Sequence, residues 1–180
     1  NEMLPFFRKT YSNPSAVYCF AGESKKAVDY ARKQAAELIG ANVEEIYFTG
    51  GGSESDNWAL KASAEAYAAK GKHIITTKIE HHAVLHTLKK LEKKGFEVTL
   101  LDVPEDGIIR VEDFVDAIRE DTAFATVMFA NNEIGTIQPI GEIGRICREK
   151  EIIFHTDAVQ AAGHVEIDVK KLNIDMLSLS

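Results

Sequence analysis

The sequence predicts an α/β fold, a three-layer arrangement in which a mostly parallel sheet is flanked by helices. Three observations carry the prediction. Stretches rich in β-branched and aromatic residues alternate with amphipathic or Ala-rich stretches along the whole chain. Residues 124–130 are almost continuously apolar, as a strand covered on both faces should be. Breakers fall at the junctions, with Gly40, Gly95 and the run Pro104-Glu105-Asp106-Gly107 placed where an element should stop.

Taken in order, residues 1–15 hold Pro5 and Asn13-Pro14-Ser15 and read as an irregular N-terminal segment, with a short helical turn over 3–9. Residues 16–180 read as one large domain. Ala27, Ala31, Ala35 and Leu38 trace one face of a helix over 24–39. Residues 45–49 have the composition of a short strand, and the Ala-rich stretch 56–70 that of a helix. Between them lies Gly50-Gly51-Gly52-Ser53, where glycines permit a sharp turn and a close backbone approach. Strands are expected at 73–78 and 96–103, with a helix over 83–94 between them. Val111, Phe114, Val115 and Ile118 mark an amphipathic helix. A helix containing Ile140, Ile143 and Cys147 precedes strands at 152–156 and 176–180.

Composition narrows the function. With 45% hydrophobic and 27% charged residues over 180 positions, the chain can bury a real core. A net charge of −7 and the lack of a basic stripe argue against a nucleic-acid surface. Lys89, Lys90, Lys93 and Lys94 form the solvated face of a helix whose inner face is Val84, Leu88 and Leu91. Two distant cysteines, Cys19 and Cys147, without CxxC spacing, suit free thiols in a reducing compartment. No apolar run approaches membrane-spanning length and no signal-peptide pattern leads the chain, so a cytoplasmic location is expected.

In parallel α/β sheets ligands sit beyond the carboxyl ends of the strands. Gly50–Ser53, Glu80-His81-His82, Asn131-Asn132-Glu133, Asp157 with Gln160, and Ser178–Ser180 all fall at such ends. Each has a plainer reading. Ser53 suits an N-cap with Asp56 as its capping-box partner, His81 and His82 suit helix caps, Asp157 an N-cap, and Asn131-Asn132 a turn. His82 and His86 lie four apart but lack a third ligand at metal spacing, so no metal site is expected. Cys147 falls on an apolar helix face and reads as a core residue.

Four stretches together resemble the NifS/IscS-type cysteine desulfurases, pyridoxal-phosphate enzymes of fold type I. They are Phe48-Thr49-Gly50-Gly51-Gly52-Ser53-Glu54-Ser55-Asp56-Asn57, Glu80-His81-His82-Ala83-Val84-Leu85, Asn131-Asn132-Glu133-Ile134-Gly135-Thr136 and His155-Thr156-Asp157-Ala158-Val159-Gln160. The resemblance runs from about Asn13 to Ser180. It implies pyridoxal 5'-phosphate as cofactor, with Gly52, Ser53 and Ser180 on its phosphate. His81 would stack on the ring and shuttle protons as the catalytic residue. Asn132 and Gln160 would bond the phenolic oxygen, and Asp157 would pair with the ring nitrogen. Glu54 and Asp56 are acidic near an anion, an arrangement that suits a phosphate only if they point away.

The implied reaction converts L-cysteine to L-alanine, leaving sulfur as a persulfide for iron–sulfur assembly or another transfer pathway. The implied partners are a sulfur-acceptor protein, such as an iron–sulfur scaffold or a tRNA-thiolation protein, and a second copy of the chain in a homodimer. The family's Schiff-base lysine follows a Ser-x-His-Lys pattern whose first residue matches Ser180, and neither Cys19 nor Cys147 matches its nucleophilic cysteine. The 180 residues are therefore expected to be an inactive fragment of the large domain, without the small C-terminal domain. A selenocysteine lyase, another class V aminotransferase, and a non-catalytic phosphate-binding module are the alternatives.

Overall fold

All five strands run parallel in the computed structural model, which describes residues 3–180. They are β1 (His73–Thr77), β2 (Glu97–Leu101), β3 (Thr122–Thr126), β4 (Ile153–Asp157) and β5 (Met176–Ser178), ordered β2-β1-β3-β4-β5. The chain therefore steps from β1 outward to β2, then returns across β1 to β3. This reversal is a topological switch point, the place where an open parallel sheet leaves a crevice between diverging connections.

The chain divides at Tyr47/Phe48 into two compact units. The first contains helix α1 (Leu4–Arg8) and helix α2 (Ala21–Ile39), which stops at Gly40 in the left-handed conformation with φ 68°. A 3-10 turn, Val43–Glu45, follows. The second unit holds the sheet and helices α3 (Gly52–Ala66), α4 (His82–Glu92), α5 (Val111–Asp116) and α6 (Ile140–Glu149).

One expected strand is corrected. Residues 45–49 take no place in the sheet. Asn42 and Glu45 form a reciprocal capping box, with the Asn42 N–H donating to Glu45 Oε2 at 2.7 Å, and this winds 43–45 into a 3-10 turn. Residues 46–49 are extended but join no ladder of the sheet. Strand composition records fit to a pleated surface, and a strand also needs a neighbour.

The apolar run at 124–130 starts and stops earlier than its composition suggests. β3 covers Thr122–Thr126, and residues 127–129 continue buried beside β4. There the Val127 N–H donates to the His155 carbonyl at 3.2 Å and the Phe129 N–H to the Asp157 carbonyl at 2.8 Å. Helix α3 begins four residues before its Ala-rich stretch, so the third glycine of the turn is already helical.

Leu60 and Ala64 of α3, Val84, Leu88 and Leu91 of α4, and Ile74, Ala123 and Phe124 of β1 and β3 form one buried cluster. Each such large side chain contributes roughly 1.5–3 kcal/mol on leaving water. The cluster anchors the N-termini of α3 and α4 beside the strand ends. On α6, Ile140, Ile143 and Cys147 are buried. Burial pushes the Cys147 thiol up to about 12, which makes it the core residue its position suggests. Among the described residues, no helix is long and apolar enough to cross a membrane.

Candidate functional site

The glycine turn is built for close approach. Gly51, with φ 148°, is the N-cap of α3 and makes no side-chain capping bond. The first bonded amides are those of Glu54 and Ser55, both donating to the Gly51 carbonyl at 3.1 Å. The N–H groups of Gly52 and Ser53 precede them and have no place in the helix ladder. A Cβ at Gly52 would stand 2.7 Å from Val159 Cγ2 and 3.8 Å from Ser180 Cβ, so only glycine fits between the turn and the opposite wall.

These contacts replace the plainer reading of the turn. Gly51, not Ser53, is the cap. Glu54 turns its carboxylate back onto the Gly50 N–H, away from the free amides. Asp56 is no capping-box partner, because it is buried at 1% exposure one turn further along.

At the end of β1, Glu80 sinks into the interior. Its Oε1 accepts from the Thr77 hydroxyl at 2.7 Å and from the Met128 N–H at 2.9 Å, tying the β1–α4 junction to the end of β3. His81 follows as the N-cap of α4, its Nδ1 accepting from the Ala83 N–H at 3.1 Å. The capping role and a site role are thus compatible. Nδ1 is occupied, and Nε2 is the atom left for a ligand.

At the end of β3 the two asparagines separate. Asn131 is structural, with Oδ1 accepting from the Glu133 and Ile134 N–H groups and Nδ2 donating to the Ile79 carbonyl. Asn132 lines the cavity instead. At the end of β4, Asp157 pairs in register with Ser178 of β5, and its Oδ1 accepts from the Val159 N–H at 3.0 Å. Burial raises its pKa, while that N–H pulls the other way.

Gly52, Ser53, His81, Asn132, Asp157, Gln160 and Ser180 all line one cavity of about 260 Å³. The sequence singled out each of them. It assigned no site role to Asp56, Met128, Ala130 and Val159, which complete the lining. Asp56 had a readable signal: Asp56, Leu60, Ser63 and Ala64 share the buried stripe of α3, and an acid on such a stripe calls for a partner.

The cavity is electrically lopsided. Part of its lining offers the free amides and positive dipole end of α3, suited to an anion. Another part is acidic. There one atom each of Asp56, His81 and Asp157 lie within 4.8 Å of one another. Behind them His155 is fully buried, its Nδ1 bonded to Thr126 Oγ1 at 2.9 Å and its Nε2 to Ser178 Oγ at 3.1 Å. His82 and His86 stack at 5.4 Å on the exposed side of α4 and have no part in this group.

A molecule with a phosphate at one end and a protonatable ring nitrogen at the other matches both parts. The Gly52 cradle and the acidic floor therefore fit pyridoxal phosphate.

The aminotransferase class-V family model matches residues 1–180. The chain is 60% identical over 179 residues to a cysteine desulfurase IscS of Clostridium botulinum and 60% identical over 178 residues to one of Methanosarcina thermophila. Each match takes in 99% of this chain, but only 45% and 44% of those relatives. The chain thus spans a little under half the length of the curated relatives it matches. Among solved structures, one titled SspA in complex with cysteine aligns with a TM-score of 0.95 at 43% identity. It covers 99% of this chain and 51% of that one. A NifS-like protein aligns equally well at 40% identity, covering 99% and 50%.

Proposed function

From a chain that belongs to the aminotransferase class-V family, we propose that these residues form the cofactor-binding large domain of a pyridoxal-phosphate-dependent cysteine desulfurase. The observation that supports it most is the convergence of the seven singled-out residues on one cavity with a part suited to an anion and an acidic part. When bound, the cofactor supplies the electron sink that carbanion chemistry on an amino acid requires.

The chain's own residues divide the remaining work. The Gly52 and Ser53 amides, with the Ser53 and Ser180 hydroxyls, hold the phosphate. The helix dipole adds about 0.3–1 kcal/mol, so hydrogen bonds carry most of that contact. Asp157 would pair with the ring nitrogen and favour its protonated form. Asn132 and Gln160 would bond the phenolic oxygen. His81 would stack on the ring and hold or move a proton at Nε2, since Nδ1 is committed to Ala83.

The lysine that carries the cofactor and the cysteine that accepts sulfur are placed by this reading in the longer protein. The reading also implies a separate sulfur-acceptor protein, a second copy of the chain in a homodimer and a cytoplasmic setting.

The full-length protein with pyridoxal phosphate, L-cysteine and a thiol reductant is expected to form alanine and sulfide in equal amounts, the reductant releasing as sulfide the sulfur left as a persulfide. Keto-acid formation from the amino donor would move the protein to another class V activity. Failure to bind the cofactor would remove the reading altogether. Gly52→Val is expected to weaken cofactor binding at least about tenfold, a loss of roughly 1.4 kcal/mol, because its side chain enters space held by Val159. A Gly52→Val protein with unchanged cofactor affinity would show that the phosphate lies elsewhere.

A further inference from the structure

Asp56 is a buried carboxyl that the proposed reading leaves without a task. Its Oδ1 has no hydrogen-bond partner. Five groups face it. From β4 come Asp157 and His155, from β5 Ser178, and from the β1–α4 junction His81 and Glu80. On its own helix, Glu54 is turned away to Gly50.

None of these groups supplies a buried cation. The nearest His155 nitrogen is 3.8 Å away, and both its ring nitrogens are engaged by Thr126 and Ser178. Burial lowers its pKa to about 4, so it stays neutral. Two carboxyls this close, with no fixed cation between them, ionise one after the other, the second well above the ordinary carboxylate range. Burial and the orphaned oxygen decide which one carries the charge. Asp157 accepts the Val159 N–H on Oδ1, whereas Asp56, although it meets the Ser178 hydroxyl, is the more deeply buried of the two and keeps an Oδ1 with no partner.

We infer that Asp56 is a positioning residue for Asp157: it is the neutral member of a buried carboxyl pair and leaves Asp157 as the single negative charge in the acidic part of the cavity. Desolvation first and Asp157 second raise the Asp56 pKa to about 7, with the Ser178 hydroxyl opposing, which agrees with this division. Its functional meaning rests on the pyridoxal-phosphate reading. Below neutrality the ring nitrogen meets one negative charge, and above it the second carboxyl ionises and adds another.

The test uses cofactor-free full-length protein labelled with [4-13C]aspartate, followed by infrared titration. It can therefore fail without touching the cofactor reading, which stands or falls on the sulfur assay. An isotope-shifted aspartic-acid carbonyl band is expected to persist at about pH 6 and vanish with a midpoint near 7, well above ordinary aspartate. The label excludes Glu80 from that signal. Asp56→Asn should abolish the band, and Asp157→Asn should keep it with a lowered midpoint. Absence of any labelled acid band at about pH 6 overturns the inference. So does a band that survives Asp56→Asn and disappears in Asp157→Asn. If Asp56→Asn does not fold, the wild-type titration and the Asp157→Asn protein decide the matter alone.

Discussion

Asp157→Asn in the full-length protein is expected to lower turnover by about 10- to 150-fold, the equivalent of losing one hydrogen bond to a charged group worth roughly 1.5–3 kcal/mol. Asparagine keeps the shape of the site. Its Oδ1 can still accept from the Val159 N–H, and the β4–β5 register that sets Ser178 beside it does not depend on charge. What goes is the negative charge that favours a protonated ring nitrogen. The loss should therefore fall on kcat more than on KM for the amino acid. The absorbance of the bound cofactor should shift toward its unprotonated-ring form at neutral pH. Removing the charge also relieves Asp56, whose pKa Asp157 helps to raise. A variant that lost activity only by losing cofactor, with an unaltered spectrum once saturated, would show that Asp157 holds position without tuning the ring.

The sequence carried the fold and the rim of the site further than it carried the floor. Alternation of element types and the apolar run at 124–130 were enough for a parallel sheet, because burial on both faces leaves a plain mark in composition. Rim residues were legible because loops after strands are polar and chain order gives their sequence. The strand expected at 45–49 was not, since a ladder partner is a tertiary fact and the capping box between Asn42 and Glu45 overrode local composition. Asn131 and Asn132 look alike in sequence, and only the turn that binds Asn131 separates scaffold from lining. Asp56 and Glu80 were the harder cases. An acid within a helix or after a strand reads as solvated or capping until packing shows it buried, and burial is what gives each its chemistry.

Glu80 leads to the second large effect, which concerns stability. Burial raises its pKa from 4.5 to about 8, with Asp157 and Asp56 adding to the rise and the Met128 N–H and Thr77 hydroxyl opposing it. The folded state therefore holds a proton that the unfolded chain gives up at lower pH. Stability from this group is complete below about 4.5 and is lost as pH rises through about 8. Within that window the slope is at most about 1.4 kcal/mol per pH unit. Asp56 slopes the same way over a lower window, from 3.8 to about 7. Glu80→Gln removes the Glu80 contribution and leaves that of Asp56 in place. Glutamine can still accept from Thr77 and Met128, but it places an amide where Oε2 has no partner, at a pH-independent cost of about 1–3 kcal/mol. In urea titrations of the full-length protein, the variant should thus be less stable than wild type at about pH 5. The gap should narrow or reverse by about pH 8. Parallel curves for the two proteins would mean that Glu80 is ionised in the folded state. The clamp joining the β1–α4 junction to the end of β3 would then rest on a buried carboxylate rather than on a neutral acid.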